Sequence, residues 1–188
     1  MSVAAAHVFG YGSLVGAGDV RRARLRGHRR VWGVAMDNSV AVPGYKVYEL
    51  PDGSRPAAAV AFLDLAPDAD ACPVEGALLE VDAGALAVLD ERERQYERVD
   101  VTALVAPLDG PAPRGAVWTY VGRAPGRARA AAGHAGTAEV VVQRAYLDLV
   151  EAAFASLGDD ALARYRASTE LPPPFPVLEL ARIDLAPA

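Results

Sequence analysis

Short apolar stretches, some alternating and some continuous, dominate the chain and predict β-strands. They occupy residues 7–13, 21–36, 56–64, 74–81, 96–105, 114–121 and 177–183. Gly76 interrupts the fourth stretch and marks a place where a backbone or a ligand approaches closely. In the fifth, Val99, Val101, Ala103 and Val105 alternate along a single face of one strand.

A spacing of three to four residues between apolar positions predicts helices at residues 82–94, 138–157 and 159–167. Asp82 can cap the first helix, in which Leu86 and Leu89 share a face. Gly158 can end the second helix. The apolar stripe of that second helix consists of Val142, Ala145, Tyr146, Leu149, Ala153 and Leu157.

The order of these elements indicates the fold class. Most strands follow one another with few helices between them, which favours an α+β fold over a doubly wound parallel sheet. We expect a mixed, β-barrel-like sheet flanked by helices. A length of 188 residues suits one domain, and the sequence has no internal repeat or long linker. A single domain over residues 1–188 is therefore expected.

Composition excludes several classes of protein. The formal net charge of −5 argues against bulk attraction to nucleic acid or to an anionic membrane. No apolar run approaches the roughly 18–20 residues of a membrane span, and the first residues lack the pattern of a secretory signal. The single cysteine, Cys72, excludes an intramolecular disulfide and is interpreted as an incidental free thiol. These features together predict a cytoplasmic protein.

The three histidines, His7, His28 and His134, lie far apart and lack the spacing of metal ligands. We therefore expect neither a metal site nor a cofactor.

One basic segment departs from the acidic balance of the chain. Residues 21–30, RRARLRGHRR, contain six arginines and no acid. A patch that binds anions is one interpretation. The other, which we favour, is a half-exposed or edge strand, because Ala23 and Leu25 alternate with arginines and no aromatic residue is present to stack on bases.

The segment VFGYGSL, Val8–Leu14, is the first candidate for chemistry. A strand that runs into Gly-Tyr-Gly-Ser can aim several backbone N–H groups at one point, which suits a carboxylate, a phosphate or an oxyanion. An ordinary turn is the alternative. Val15 occupies the position of the third glycine in the dinucleotide motif G-x-G-x-x-G, which disfavours that motif. It also occupies the position of the second glycine in the G-x-S-x-G motif around a nucleophilic serine, which disfavours that motif too.

The second candidate is LDERERQYERVDV, residues 89–101, whose first nine residues hold four acids: Asp90, Glu91, Glu93 and Glu97. On a helix, Glu93 would share the face of Leu89, whereas Glu91 and Arg92 would point outward. A carboxylate beside an apolar face has a raised pKa and suits general acid–base catalysis. From spacing alone, a solvated charged helix end is the better interpretation.

The order and distance of the two segments change that balance. VFGYGSL followed about 80 residues later by the pattern LDxRExxYxRV resembles the gamma-glutamylcyclotransferase-like family, in its YGSL-containing, ChaC-type or AIG2-like branch. RLRGHRRVW and VEGALLEV also stand where that family has them. The resemblance spans roughly residues 7–122.

The resemblance implies an α+β domain with a β-barrel and a pocket at one end. It further implies an enzyme that cyclises the gamma-glutamyl group of a small amide or peptide to 5-oxoproline and releases the amine. Glu93 would be the acid–base, and Tyr11, Gly12, Ser13 and Leu14 would hold the substrate. Arg94 and Gln95, between Glu93 and Tyr96, depart from the usual pattern and leave the substrate subtype open.

Two expectations complete the interpretation. Tyr120 in the strand WTYV is a candidate at the pocket mouth, although such a residue is more often a core aromatic. The expected partner is a small gamma-glutamyl compound bound by a monomer or homodimer, without nucleic acid or membrane. The alternative from another class is a non-catalytic protein that binds small molecules in the same pocket.

Overall fold

The computed structural model describes residues 6–171 and 173–187, and confirms the α+β class. The strands are β1 (Ala6–Gly10), β2 (Val20–Leu25), β3 (His28–Asp37), β4 (Lys46–Glu49), β5 (Ala59–Pro67), β6 (Val74–Val81), β7 (Tyr96–Asp100), β8 (Val105–Pro107), β9 (Val117–Gly122), β10 (Val140–Gln143), β11 (Val177–Leu178) and β12 (Ala181–Asp184). The helices are α1 (Ala83–Arg92), α2 (Ala124–His134), α3 (Arg144–Ser156) and α4 (Asp159–Ala167), and a short 3-10 helix spans Ser13–Gly16.

The strands of this part of the chain are divided among three sheets and do not close into one barrel. The largest has the order β7-β9-β1-β6-β2-β8, in which only the β1–β9 pair is parallel. The second has the order β11-β10-β5-β3, with β3 antiparallel to β5. The third is the antiparallel pair of β12 and β4.

The main apolar core lies between the first two sheets. Its buried side chains come from β1, β2, β6 and β9 of one sheet and from β3, β5 and β10 of the other, together with α3 and α4. Burial of this apolar surface is the main source of stability. The centre of the first sheet needs Gly76, because a Cβ there would lie 2.2 Å from the carbonyl oxygen of Gly10. The close approach expected at Gly76 is therefore confirmed, and the approaching group is backbone.

The basic segment is divided between two sheets. Gly27, with φ of +73°, turns the chain between β2 and β3, which do not pair with each other. Ala23 and Leu25 are fully buried, as the strand interpretation requires. β2 lies inside its sheet, between β6 and β8, so of the two alternatives this half of the segment is a half-exposed strand and not an edge strand.

Two predicted elements are shorter than the sequence suggests. Residues 96–105 do not form one strand, because the Asp100 side chain accepts hydrogen bonds from the N–H and hydroxyl of Thr102 and turns the chain between β7 and β8. Residues 138–157 begin as strand β10, and α3 starts only at Arg144. Leu149, placed in the apolar stripe by its spacing, is 54% exposed.

Other predicted boundaries are close to the observed ones. Asp82 caps α1 by accepting a hydrogen bond from the N–H of Ala85 at 2.8 Å. Gly158 follows α3 with φ of +120°, a conformation that glycine adopts without strain. β4 and α2 were not predicted. None of the helices described is both long enough and apolar enough to cross a bilayer.

Candidate active site

The loop after β1 lines a small hollow and carries backbone N–H groups that have no acceptor among the described residues. β1 lies between β6 and β9, and its continuation, Tyr11–Leu14, leads into the 3-10 helix. The N–H groups of Val15 and Ala17 bond the carbonyls of Gly12 and Leu14. Across the described residues we find no acceptor for the N–H groups of Gly12, Ser13 and Leu14. Such unpaired donors at a helix start suit a negatively charged group.

The buried guanidinium of Arg30 anchors this loop through hydrogen bonds. Its Nε donates to the carbonyl of Tyr11 at 2.9 Å, and one Nη donates to the carbonyl of Glu75 at 2.5 Å. The other Nη reaches the hydroxyls of Ser168 and Thr169, both at 3.0 Å. Burial lowers the pKa of Arg30 to about 10, so the side chain remains charged at neutral pH. The last arginine of the basic segment is thus a buried support of the loop.

The side chains of the loop face the protein interior. The Tyr11 hydroxyl donates to the carbonyl of Tyr120 at 2.6 Å, and burial raises its pKa well above the ordinary value. Leu14 packs among buried residues that include Val8, Leu79 and Tyr120. Tyr11 and Leu14 therefore contribute to the hollow mainly through the loop backbone. Ser13 is half-buried.

Tyr120 is both a core aromatic and a residue of the pocket lining, the two roles considered for it. It is buried in the apolar cluster with Leu14, and it also lines the hollow beside the loop. Its hydroxyl donates to Asp90 of α1 at 2.8 Å, and Arg98 of β7 bonds the other oxygen of Asp90 at 2.7 Å. Tyr120 thereby ties α1 to the first sheet.

Glu93 lies immediately after α1 and not on its face. Its φ of −92° and ψ of 39° end the helix, and its carbonyl accepts the N–H of Tyr96 in the turn toward β7. The side chain is only 15% exposed. Leu86 and Leu89 instead pack against the cluster around Tyr120. The expected helical register is therefore wrong at Glu93, although the expected burial of its carboxylate is present.

Burial raises the pKa of Glu93 above its ordinary value, and the nearby positive charges of Arg92 and Lys46 oppose that change. Arg92 is 48% exposed, in line with the expected outward direction, but its guanidinium also reaches two site residues. Its Nε lies 3.2 Å from the Glu93 carboxylate, and one Nη lies 3.4 Å from the hydroxyl of Ser13. Arg92 thus connects the two sequence segments that suggested a site.

Two cavities meet at Glu93. We call the smaller the loop hollow; it has a volume of about 30 Å³ and is lined by residues 11–14 with Leu63 and Tyr120. The larger, the main cavity, has a volume of about 600 Å³ and lies against β4, α3 and β12. Residues lining both are Ser13, Glu93, Tyr96 and Tyr146. The hollow has room for one carboxylate or oxyanion, and the main cavity for a larger group.

Two tyrosines between the cavities are anchored on the same residue. Leu63 lies where the pairing of β5 with β3 skips from Phe62 to Asp64, and the pairing with β10 ends at Ala61. Its carbonyl accepts the Tyr96 hydroxyl at 2.9 Å, and its N–H donates to the Tyr146 hydroxyl at 3.3 Å. Burial raises the pKa of both tyrosines, so both hydroxyls stay protonated.

The Tyr146 hydroxyl also closes the loop hollow. A Cβ on Gly12 would lie 3.1 Å from this oxygen, so a side chain at position 12 would require the Tyr146 hydroxyl to move by a few tenths of an ångström. Sequence reasoning assigned Tyr146 to an apolar stripe and gave Lys46, Arg92 and Arg182 no role. Nothing in the local sequence shows that all of these side chains line one cavity.

The described residues contain no group of three or more histidine, cysteine, aspartate or glutamate side chains arranged to hold a metal ion. Cys72 is exposed. The chemistry available near Glu93 is thus that of a carboxylate, cationic side chains, tyrosine hydroxyls and backbone N–H groups.

Solved structures share this fold at low sequence identity. One described as a gamma-glutamyl cyclotransferase is 13% identical with a TM-score of 0.55, over 93% of this chain and 94% of that one. YkqA from Bacillus subtilis is 17% identical with a TM-score of 0.54, over 87% of this chain and 53% of YkqA. An uncharacterized protein, loc79017 from Homo sapiens, is 13% identical with a TM-score of 0.53, over 87% and 88%. A comparison with curated protein sequences finds no match.

Family membership rests on the sequence pattern as a whole. A family model described as "Gamma-glutamyl cyclotransferase, AIG2-like" matches residues 8–136, more than half of the chain, including the loop after β1 and the turn that carries Glu93. The chain belongs to the AIG2-like gamma-glutamyl cyclotransferase family.

Proposed function

We propose that the protein cyclises the gamma-glutamyl group of a small amide or peptide to 5-oxoproline, with Glu93 as general acid–base. The observation that carries this proposal is the position of the Glu93 carboxylate, which is 15% exposed and lines both the loop hollow and the main cavity. The proposed acid–base has to reach the attacking alpha-amino nitrogen and the leaving nitrogen of the scissile amide. A residue shared by the two cavities suits this role. Membership of the family supports the reaction class.

The reaction needs only proton transfer and positioning. The alpha-amino nitrogen of the glutamyl group attacks its own gamma-carbonyl carbon, forms a C–N bond and closes a five-membered lactam. The amide C–N bond then breaks and the amine leaves. The ammonium nitrogen loses two protons in becoming the lactam N–H; Glu93 takes each in turn and passes them to the leaving nitrogen, which departs as an ammonium. Holding the substrate folded for this intramolecular attack can contribute about 7–11 kcal/mol.

The loop hollow suits the negative charge of the substrate. Gly12, Ser13 and Leu14, whose N–H groups have no acceptor among the described residues, line this space with Tyr146, and these donors suit the oxyanion or the alpha-carboxylate. Tyr11 supports this arrangement through its backbone, which Arg30 fixes. Tyr120 positions α1 and closes one side of the hollow.

A substrate survey tests the proposal. We expect release of 5-oxoproline when the protein is incubated with one or more of three classes: gamma-glutamyl amino acids, glutathione and gamma-glutamyl amines. The product is measured by chromatography against a sample without protein. Absence of product from all three classes would favour a non-catalytic binding protein instead.

The raised pKa of Glu93 predicts an acid limb in the activity profile. Only the ionised carboxylate can accept the substrate proton, so kcat/KM should fall as the pH decreases through the Glu93 pKa, above the ordinary value of 4.5. Initial rates across the mildly acidic range measure this limb. A profile that stays flat down to the ordinary glutamate pKa would contradict the assignment.

A further inference from the structure

The only lysine of the chain, Lys46, lines the main cavity. Its ammonium lies 5.0 Å from the centre of the Phe62 ring, 5.5 Å from that of Tyr45 and 5.9 Å from that of Tyr48. Contact with three aromatic rings removes much of its hydration, and burial lowers its pKa to about 8. At neutral pH this side chain is a partly desolvated cation.

The three arginines that line the main cavity have acidic partners. Arg182 bonds Asp184 at 2.7 Å, Arg92 lies 3.2 Å from Glu93, and Arg94 bonds Glu91. For Lys46, no carboxylate lies within 4.0 Å among the residues that the structure describes. The lining thus holds four cations and three carboxylates, and the excess positive charge is that of Lys46.

We propose that Lys46 binds a carboxylate on the leaving amine and so selects substrates in which that amine is an amino acid or a peptide. This inference rests on the proposed cyclotransferase function. A partly buried cation with no carboxylate within 4.0 Å among the described residues is satisfied by an anion on the ligand, as a charge-assisted hydrogen bond. The aromatic rings around it strengthen the attraction by lowering the local dielectric constant.

The arrangement of the cavities assigns this carboxylate to the leaving amine and not to the glutamyl group. Lys46 lines the main cavity but not the loop hollow, whereas Glu93 lines both. With the glutamyl end at the loop and the scissile amide at Glu93, the leaving group extends into the main cavity toward Lys46. Val88 and Leu149, both largely exposed at this cavity, provide apolar contact for the rest of the leaving group.

Two matched substrates test the inference: gamma-glutamylalanine, and the same compound with its alanine carboxylate converted to an amide. We expect kcat/KM of the wild-type protein to favour the acid by about 10- to 100-fold, the range of a hydrogen bond to a charged group. Lys46→Met keeps an apolar stem against the rings and should abolish this preference. Lys46→Arg should retain most of it.

Arg94→Met is the matched control, because it removes a cation from the same lining that already has a partner in Glu91. We expect the ratio of acid to amide to change by less than about twofold in this variant. An acid-to-amide ratio near one in the wild-type protein, or an undiminished ratio in Lys46→Met, would overturn the inference.

The same ratio should depend on pH. Lys46 is charged below its pKa of about 8, so the preference for the acid should fade as the pH rises through that value. Other titratable or charged groups that act on it are Arg182, Asp184, Arg92, Glu93, Tyr45 and Tyr48. Their effects on catalysis are shared by both substrates and largely cancel in the ratio. A ratio that stays constant through pH 8 would contradict a role for the Lys46 charge.

Failure of the proposed function is distinguishable from failure of this inference. If the wild-type protein releases 5-oxoproline neither from these two compounds nor from any class in the substrate survey, the cyclotransferase proposal fails. Calorimetric binding of the same two compounds to the wild-type and Lys46→Met proteins then tests Lys46 without turnover. Tighter binding of the acid that disappears in Lys46→Met supports the carboxylate site, and equal binding of both compounds overturns it.

Discussion

Glu93→Gln is expected to lower the rate of 5-oxoproline release by about 10²–10⁴-fold, the usual contribution of a general acid–base. Glutamine keeps the size of the side chain and can still accept a hydrogen bond from Arg92, but it cannot take the proton from the substrate ammonium. The loss should appear mainly in kcat, because the loop hollow and the main cavity retain their shape. Initial rates with a substrate identified in the survey measure it.

Stability should not fall in this variant. The folded protein holds the proton of Glu93 more tightly than the unfolded chain, since its pKa is raised, so ionising Glu93 opposes folding at neutral pH. Glutamine removes that penalty. Glu97→Gln, on an exposed position of β7, and Glu91→Gln, 69% exposed, are the controls and should keep near-full activity. Equal losses in Glu93→Gln and Glu91→Gln would refute the assignment.

Arg30→Met is expected to lower the free energy of unfolding by about 3 kcal/mol, because it leaves buried acceptors without a donor. The carbonyls of Tyr11 and Glu75 and the hydroxyls of Ser168 and Thr169 all bond this one guanidinium. For a chain of this length the loss corresponds to a decrease in Tm of about 6–12 °C. Denaturant titration measures the free energy, and calorimetry measures Tm.

Two further variants separate this network from charge alone. Arg30→Lys keeps the charge but lacks the planar fork, so we expect it to recover less than half of the lost stability. Arg29→Met removes the neighbouring arginine, which is 60% exposed and lies 3.6 Å from Asp68. Its effect should stay within about 0.5 kcal/mol. Similar losses in Arg29→Met and Arg30→Met would contradict a special role for Arg30.

The elements that could be predicted from the sequence are those with a clear apolar pattern and a local residue that starts or ends the element. β6 and α1 begin within one residue of the prediction, the latter because Asp82 caps the helix. α2 could not be predicted, since its buried positions are only Gly126 and Ala130 and give no apolar stripe. β10 was merged with α3 because the run Val140–Val142 continues the helical spacing of apolar residues.

Only part of the candidate site could be predicted from the sequence, for a related reason. The loop after β1 and Glu93 are recognisable as sequence segments, and the structure brings them together at the loop hollow. Lys46 and Tyr146 lie on β4 and α3, far apart in sequence, and only the packing of the sheets places both in the main cavity. The turn at Glu93 was missed because helical spacing continues through residues that have already left the helix.

The anchoring of the site depends on main-chain acceptors. Arg30 bonds the carbonyls of Tyr11 and Glu75, the Tyr11 hydroxyl bonds the carbonyl of Tyr120, and Tyr96 bonds that of Leu63. A carbonyl is present whatever side chain the residue carries. Positions that supply only the acceptor can therefore change residue type without loss of the hydrogen bond, whereas the donor side chains cannot. These four hydrogen bonds are therefore insensitive to residue type on the accepting side, although Tyr11, Tyr120 and Glu75 make further contacts through their own side chains.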